Sequence, residues 1–415
     1  MVIGPWLARL AARRVHALLA LAPGGTAARL SVEVHLAETG MVVAASPADA
    51  DVLIVAGEPD DDLARAIDRV WAQLPGPRVR VLVETPGEAG GAIGRAVARL
   101  CGPEQRTDAA GRRDEWRDVD SVPTGTNGMD MDMPDGHDVN ARHGGDHHAD
   151  PEDGDGGHAD HGGHGNQMPG GLMMADRAPD RDGLQLDVLQ VPLGPVLADW
   201  PAGLVVTLAL QGDVVQKADV RVLGSSVRQQ MPFWDAGDDD RGRRFAAAHL
   251  DSLGRLLGVV GWQAQAWRAR RLRDGALGDV SAQRLRAGLA ALDRRMRRSW
   301  TLRWATDGLG VLTSELAREL GVTGPAARAL DGGGDVTARW RCWLAHTDRY
   351  LAGERPDDGE GPRGRLDGDR PASAALLDAA QRLMLGLDIA AARIVVASFD
   401  PDTDELVATR ERSAA

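Results

Sequence analysis

The chain has 415 residues, 43% hydrophobic and 26% charged, enough for two or three globular units with cores of their own. Acidic residues outnumber basic ones 61 to 48 and the net charge is −13, which argues against a nucleic-acid footprint, because phosphate neutralisation needs a basic face. Two cysteines, Cys101 and Cys342, exclude a disulfide framework, a four-cysteine zinc site and a four-thiolate iron–sulfur cluster built within the chain.

Trp6 to Leu21 carries Arg9, Arg13 and Arg14 inside a short apolar run, a pattern that predicts a first amphipathic helix rather than a cleaved signal. No uninterrupted apolar stretch approaches the roughly 18 residues needed to span a bilayer, so a soluble, cytoplasmic chain is expected. Asp51 to Gly57 is a continuous apolar run ending at glycine, the mark of a strand buried on both faces. Asp60 to Asp62 then supply an N-cap and first-turn negative charge. Leu63, Ala66, Ile67, Val70, Trp71 and Leu74 recur at helical spacing until Pro75-Gly76-Pro77 stops the helix. Val79 to Val83 reads as a second strand and Ala92 to Leu100 as a second helix, so residues 1–105 form an α/β domain with a parallel sheet.

Residues 106–170 collapse into Asp, Gly and His, a composition that cannot bury a core and reads as a disordered linker. Between Met129 and His164 stand His137, His143, His147, His148, His158, His161 and His164, with ten acidic residues and Arg142 as the single base. Imidazole with carboxylate suits Ni, Cu(II) or Zn, while the thioethers of Met129, Met131 and Met133 suit Cu(I). The competing reading is a solvated acidic tether between two domains.

Regularity returns in residues 171–225. Leu184 to Leu189 reads as a strand, and Gly203 to Leu210, Gln211-Gly212-Asp213 and Val214-Val215 as a hairpin in a small antiparallel sheet. From 226 to 415 the period changes to 3.6 and predicts a helical bundle. One stripe runs Phe245, His249, Leu253, Leu256, Leu257, Val260, Ala264, Trp267; a second runs Leu285, Leu289, Leu292, Met296, Trp300, Trp304. Thr313 caps a third helix that Gly321 ends, and a helix near Ala374 to Leu385 and the apolar run Ile394 to Ala397 close the bundle. The second half is thus an α+β domain.

Two stretches carry a family resemblance. Ala45 to Gly57 with Leu63 to Arg78 resembles the B subunit of NADH-quinone oxidoreductase (complex I), a relative of the nickel-iron hydrogenase small subunit. Gly308 to Ala317 with Gly321 to Ala329 resembles the D subunit, a relative of the hydrogenase large subunit, as do the hairpin and Ala246 to Leu257. The resemblance implies a fused B-like and D-like chain that meets membrane and peripheral subunits of a complex-I-like or membrane-hydrogenase-like assembly, peripheral on the cytoplasmic face.

The departures from the family are as informative. Its B subunit ligates an iron–sulfur cluster with cysteines whose positions fall here in Leu30 to His35, placed before the first strand, and in Glu84-Thr85-Pro86, and neither stretch has a thiol. No iron–sulfur cluster is expected. The D subunit's quinone-loop histidine is missing from Leu193 to Gly203, although Gly194, Pro195, Asp199 and Trp200 stand in that loop. A carboxylate such as Asp199 is a poor proton donor at neutral pH, so the expected role is structural or regulatory. Two rivals are a soluble metal-handling protein working through the histidine-rich insertion, and a subunit that still binds quinone at Asp199.

Other features are read as structural. Asp400, Asp402, Asp404 and Glu411 match a calcium-loop spacing, but Glu405 stands where that loop requires glycine, and a surface acidic turn is the expectation. His249 is expected in the core, Arg294, Arg295, Arg297 and Arg298 on a solvated or subunit-facing surface, and Gly87 to Gly94 in a plain connection.

Overall fold

The computed structural model describes residues 14–102, 176–179, 185–224, 231–235, 240–368 and 370–407. The histidine-rich insertion lies outside them.

The first unit is built on four parallel strands in the order β2-β1-β3-β4, with β1 His16–Leu21, β2 Val42–Val43, β3 Val52–Ala56 and β4 Val79–Val83. Helices α1 (Thr26–Thr39), α2 (Asp61–Gln73) and α3 (Ala89–Leu100) connect or follow them. Because β1 leads to β2 in one direction and β3 to β4 in the other, right-handed crossovers place α1 and α2 on opposite faces. Val32, Leu36 and Ile93 of α1 and α3 pack with Ile54 on one face, and Leu63 and Ile67 of α2 pack with Leu53 on the other. The Asp60 carboxylate accepts from Leu63 N at 2.8 Å, as its N-cap position requires.

Two sequence expectations fail here. The described part of the predicted first helix, His16–Leu21, is instead the strand β1, paired in parallel with β2 and β3. Its Ala and Leu residues favour helix locally, but a strand flanked on both edges and covered on both faces must be uniformly apolar, and that tertiary demand prevails. Leu30 to His35 does not precede the first strand either; it lies in α1, which escaped notice because both its faces are covered and it lacks a clear polar side.

The second unit joins an antiparallel sheet to helices. Its strands β5 (Asp176–Pro179), β6 (Gln185–Leu193), β7 (Leu204–Gln211) and β8 (Val214–Val222) run in chain order. The helices are α4 (Arg241–Val259), α5 (Gln263–Leu277), α6 (Ala282–Arg298), α7 (Trp300–Thr306), α8 (Ser314–Leu320), α9 (Gly324–Arg328), α10 (Val336–Leu351), α11 (Ala372–Leu383) and α12 (Ile389–Phe399). The sheet does not stand alone: Leu204, Val206 and Leu208 share a core with Leu376, Ala380, Val395 and Phe399. Thr313 caps α8 through Leu316 N, and Gly321 ends it at φ 71°, as predicted.

Both predicted stripes of the bundle are interrupted. Gly261 at φ 81° separates α4 from α5, which shifts the helical phase and leaves Ala264 exposed. Ser299 ends α6 and caps α7, so Leu285, Leu289, Leu292 and Met296 are buried while Trp300 and Trp304 stand 69% and 77% exposed. Among the described residues no helix is long and apolar enough to cross a membrane.

Candidate functional site at the junction of the two units

In an open parallel sheet the strands change direction of succession at one point, and ligands occupy the crevice beyond their carboxyl ends there. In this sheet the point falls between β1 and β3, at Leu21-Ala22 and Ala56-Gly57. The turn that follows β1 is very tight: a Cβ on Gly57, at φ 87°, would lie 2.8 Å from Gly25 Cα, and one on Gly25 would lie 2.6 Å from Ala56 O. The second unit closes this crevice. Asp404 Oδ1 accepts from Gly24 N at 2.6 Å, and the cavity left between Gly25, Arg29, Arg255, Arg363 and Asp402 measures ≈ 10 Å³, the size of a single water.

Charged side chains from six segments fill the space beneath. Arg29 on α1 grips Asp251 on α4 with both terminal nitrogens, at 3.1 and 2.8 Å. Arg273 on α5 reaches Asp251 at 2.7 Å and Glu33 on α1 at 2.6 Å. Arg255 lies 3.0 Å from Asp400, which also accepts from Arg363 at 2.5 Å. Arg270 pairs with Asp199 in the β6–β7 loop. Arg273 is fully inaccessible, and Asp251 and Asp400 are nearly so. Burial pushes the carboxyls of Glu33 and Asp251 upward, but the surrounding guanidiniums outweigh it: Glu33 is brought down to about 2 by Arg29, Arg273 and Arg270, and Asp251 falls well below the usual range beside Arg29, Arg255 and Arg273. Glu33 and Asp251 are held ionised, and the network ties α1 of the first unit to α4 and α5 of the second.

Beside it stands a group of carboxyls with the opposite tendency. Burial and the neighbouring Asp404 raise Asp402 well above the ordinary carboxylate range, burial raises Asp404 against the donors Gly24 N and Thr26, and burial together with Glu405 lifts Asp235 to about 6. Asp404 Oδ2 has no hydrogen-bond partner among the described residues. The segment predicted to be a surface acidic turn is therefore interior: Asp400 and Asp404 are 0% and 2% exposed, and Glu405 caps the start of α11 through Ala372 N and Ser373 N at 2.8 and 3.1 Å. What the sequence hides is the partner, since Arg255 and Arg363 lie 145 and 37 residues from Asp400.

The loop carrying Gly194, Pro195, Asp199 and Trp200 packs against the same network. Gly194, at φ 85°, has no room for a side chain, since a Cβ would lie 2.2 Å from Leu204 O. Trp200 is buried and donates its indole N–H to Leu204 O at 2.9 Å. Asp199 adopts φ 58°, and its carboxylate lies over α4, where a Cβ on Gly258 would meet it at 2.0 Å. Between this loop, Leu18, Trp267 and Arg270 lies a cavity of ≈ 50 Å³, well below the roughly 300 Å³ of a small-molecule pocket.

The two stretches singled out by the resemblance, Leu30 to His35 and Glu84-Thr85-Pro86, do meet. Ser31 Oγ on α1 donates to Pro86 O, just beyond β4, at 2.7 Å. The donor set at this contact is a hydroxyl and a carbonyl, which does not fit a cluster that takes thiolates. Cys101 lies at the end of α3 and Cys342 on α10, where burial pushes the Cys342 thiol up to about 11, the reverse of a ligating thiolate. His249 is a core residue as expected, 1% exposed, stacked on Tyr350 and 5.6 Å from the His346 ring. Among the described residues no group of three or more His, Cys, Asp or Glu side chains is placed to hold a metal ion. The seven predicted histidine ligands, His137 to His164, lie outside the described residues.

The fold and site define a two-unit chain: a parallel α/β sheet whose crevice is sealed by the ionic face of an α+β unit. No family model matches the chain, and no curated protein matches it. Among solved structures, a chain of the membrane-bound sulfane sulfur reductase, an archaeal respiratory membrane complex, is similar with 15% identity and a TM-score of 0.40, over 52% of this chain and 98% of that one.

Proposed function

We propose that the chain is a fused B-like and D-like subunit of a complex-I-like NADH-quinone oxidoreductase or membrane-hydrogenase-like assembly, with a structural or regulatory role at the cytoplasmic face of the membrane arm. The observation that carries this reading is the contact of Ser31 with Pro86. It brings together the two segments that the resemblance assigns to cluster ligation and furnishes no thiolate there. The buried Arg29–Asp251–Arg273–Glu33 network, on the other side of α1, adds support, because it joins the two units by charge rather than through a redox centre. Asp199 is held by Arg270 in a cavity too small for a quinone ring, which favours this role over a quinone-reducing one. The test is anaerobic reconstitution of the purified chain with iron and sulfide: no four-iron absorption or paramagnetic signal is expected, and a stoichiometric signal overturns the reading.

A second role belongs to the insertion. Seven histidines and ten acidic residues between Met129 and His164 support binding of Ni, Cu or Zn by the linker. Deleting residues 129–164 is expected to abolish binding of these ions while leaving association with the assembly intact; unchanged binding removes this role.

A further inference from the structure

The ionic junction lies within the proposed function; a different surface stands apart from it. An open groove of ≈ 890 Å³ runs between α1, α5 and α6. On α6, Arg284, Gly288, Ala291, Arg295 and Arg298 fall at spacings of four and three, which is one stripe of a helix. On α5, Arg268, Arg271, Leu272 and Gly275 form the facing stripe. The two helices touch at the floor, where a Cβ on Gly288 would meet Leu272 at 2.6 Å and one on Gly275 would meet Leu285 at 3.0 Å. The floor is therefore apolar, made by Val34, Leu272, Leu285 and Leu292, and the rim carries Arg268, Arg271, Arg284 and Arg295.

The charge of this groove is unbalanced. Glu38 and Asp274 are the acids along it, and Asp274 already accepts from Arg273 at 2.7 Å. The four rim arginines are exposed and form no ion pair among the described residues. The groove continues along α6 into a second hollow of ≈ 530 Å³ that shares Ala291 and Arg295 and adds Trp262, Arg294 and Arg298. One residue past its Ser299 end, α7 begins with Trp300, and Trp300 and Trp304 share a helix face at i, i+4 while remaining mostly exposed.

Exposed tryptophan is costly in water and at home at the boundary of a bilayer, where the ring meets acyl chains and the N–H meets headgroups. A cationic rim above an apolar floor is complementary to an amphiphile with an anionic head, and the exposed tryptophans open the helix that follows α6. We propose that the α5–α6 groove seats an anionic phospholipid, so that this face of the chain lies directly on an acidic membrane surface. The proposal stands on this surface alone, so its failure leaves the subunit reading untouched.

The test is co-sedimentation of the full chain with two kinds of vesicle: phosphatidylcholine alone, and phosphatidylcholine with about one third phosphatidylglycerol. Binding to the acidic vesicles alone is expected, weakening with salt. R284Q/R295Q is expected to weaken it about tenfold or more. R365Q/R382Q, which removes equal charge at two exposed positions elsewhere, is expected to leave it unchanged. W300S/W304S is expected to weaken the part that resists salt. The wild-type chain remaining in the supernatant, equal binding to neutral vesicles, or equal loss in R365Q/R382Q overturns the proposal. So does a concentration-dependent dimer that R284Q/R295Q abolishes, since a second copy of the chain then occupies the groove.

Discussion

Arg273 concentrates the physics of the junction in one side chain. It is fully buried, donates to Glu33 and Asp251 at 2.6 and 2.7 Å, and is held to Asp274 besides. Removing one member of a buried network leaves the others charged and unpaired, so Arg273→Ala is expected to destabilise the chain by about 3–5 kcal/mol, read as a shift in denaturant midpoint. A change below about 1 kcal/mol would mean that water enters and solvates the acids. Two sets of carboxyls set the pH dependence with opposite signs. Glu33, brought to about 2, contributes stability that is present above its ordinary value of 4.5 and is lost as pH falls toward 2. Asp402, raised well above 3.8, contributes stability that is present below that value and is lost as pH rises through its raised pKa. Asp402→Asn should therefore stabilise the chain at about pH 8 and leave it unchanged near pH 4. A variant no more stable than the parent chain at about pH 8 contradicts a raised carboxyl there.

At the scale of elements, the sequence is readable where local and tertiary demands agree. Asp60, Thr313, Gly321 and the Gln211-Gly212-Asp213 turn each act locally and stand where their chemistry places them. Strand β1 and helix α1 are unreadable because each is covered on both sides, so neither shows the polar face that separates a strand from a helix. The stripes through Val260 and Met296 mislead for a different reason: the apolar period persists across a break, and the residue beyond it turns outward. Trp300 and Trp304 follow such a break, and replacing both with serine should change stability by less than about 0.5 kcal/mol, as exposed substitutions do. Trp340 is fully buried, and its alanine variant should cost about 3–5 kcal/mol. The turn after β1 is the opposite case of an element without slack. Gly57→Ala forces a Cβ to 2.8 Å from Gly25 Cα at a positive φ and should cost at least about 1 kcal/mol; a neutral result in thermal unfolding would show that the turn can relax.

Across the whole molecule, the candidate site arises from long-range pairings that no motif announces. Arg29 and Asp251 are 222 residues apart, and Gly24 and Asp404 are 380 apart. The scarcity of thiols is legible from counting; the ionic network is not, because Arg29, Glu33 and Asp251 each read as an ordinary polar residue of a helix. The two units are joined by buried charge, and the central claim is the structural role proposed above. It is tested most directly by mild-detergent affinity purification of the chain from its native membranes, with iron measured in the same eluate. Co-elution of membrane-arm subunits, with no iron attributable to this chain, is the result the account predicts. A chain that elutes alone, or one that carries four irons per copy, contradicts it.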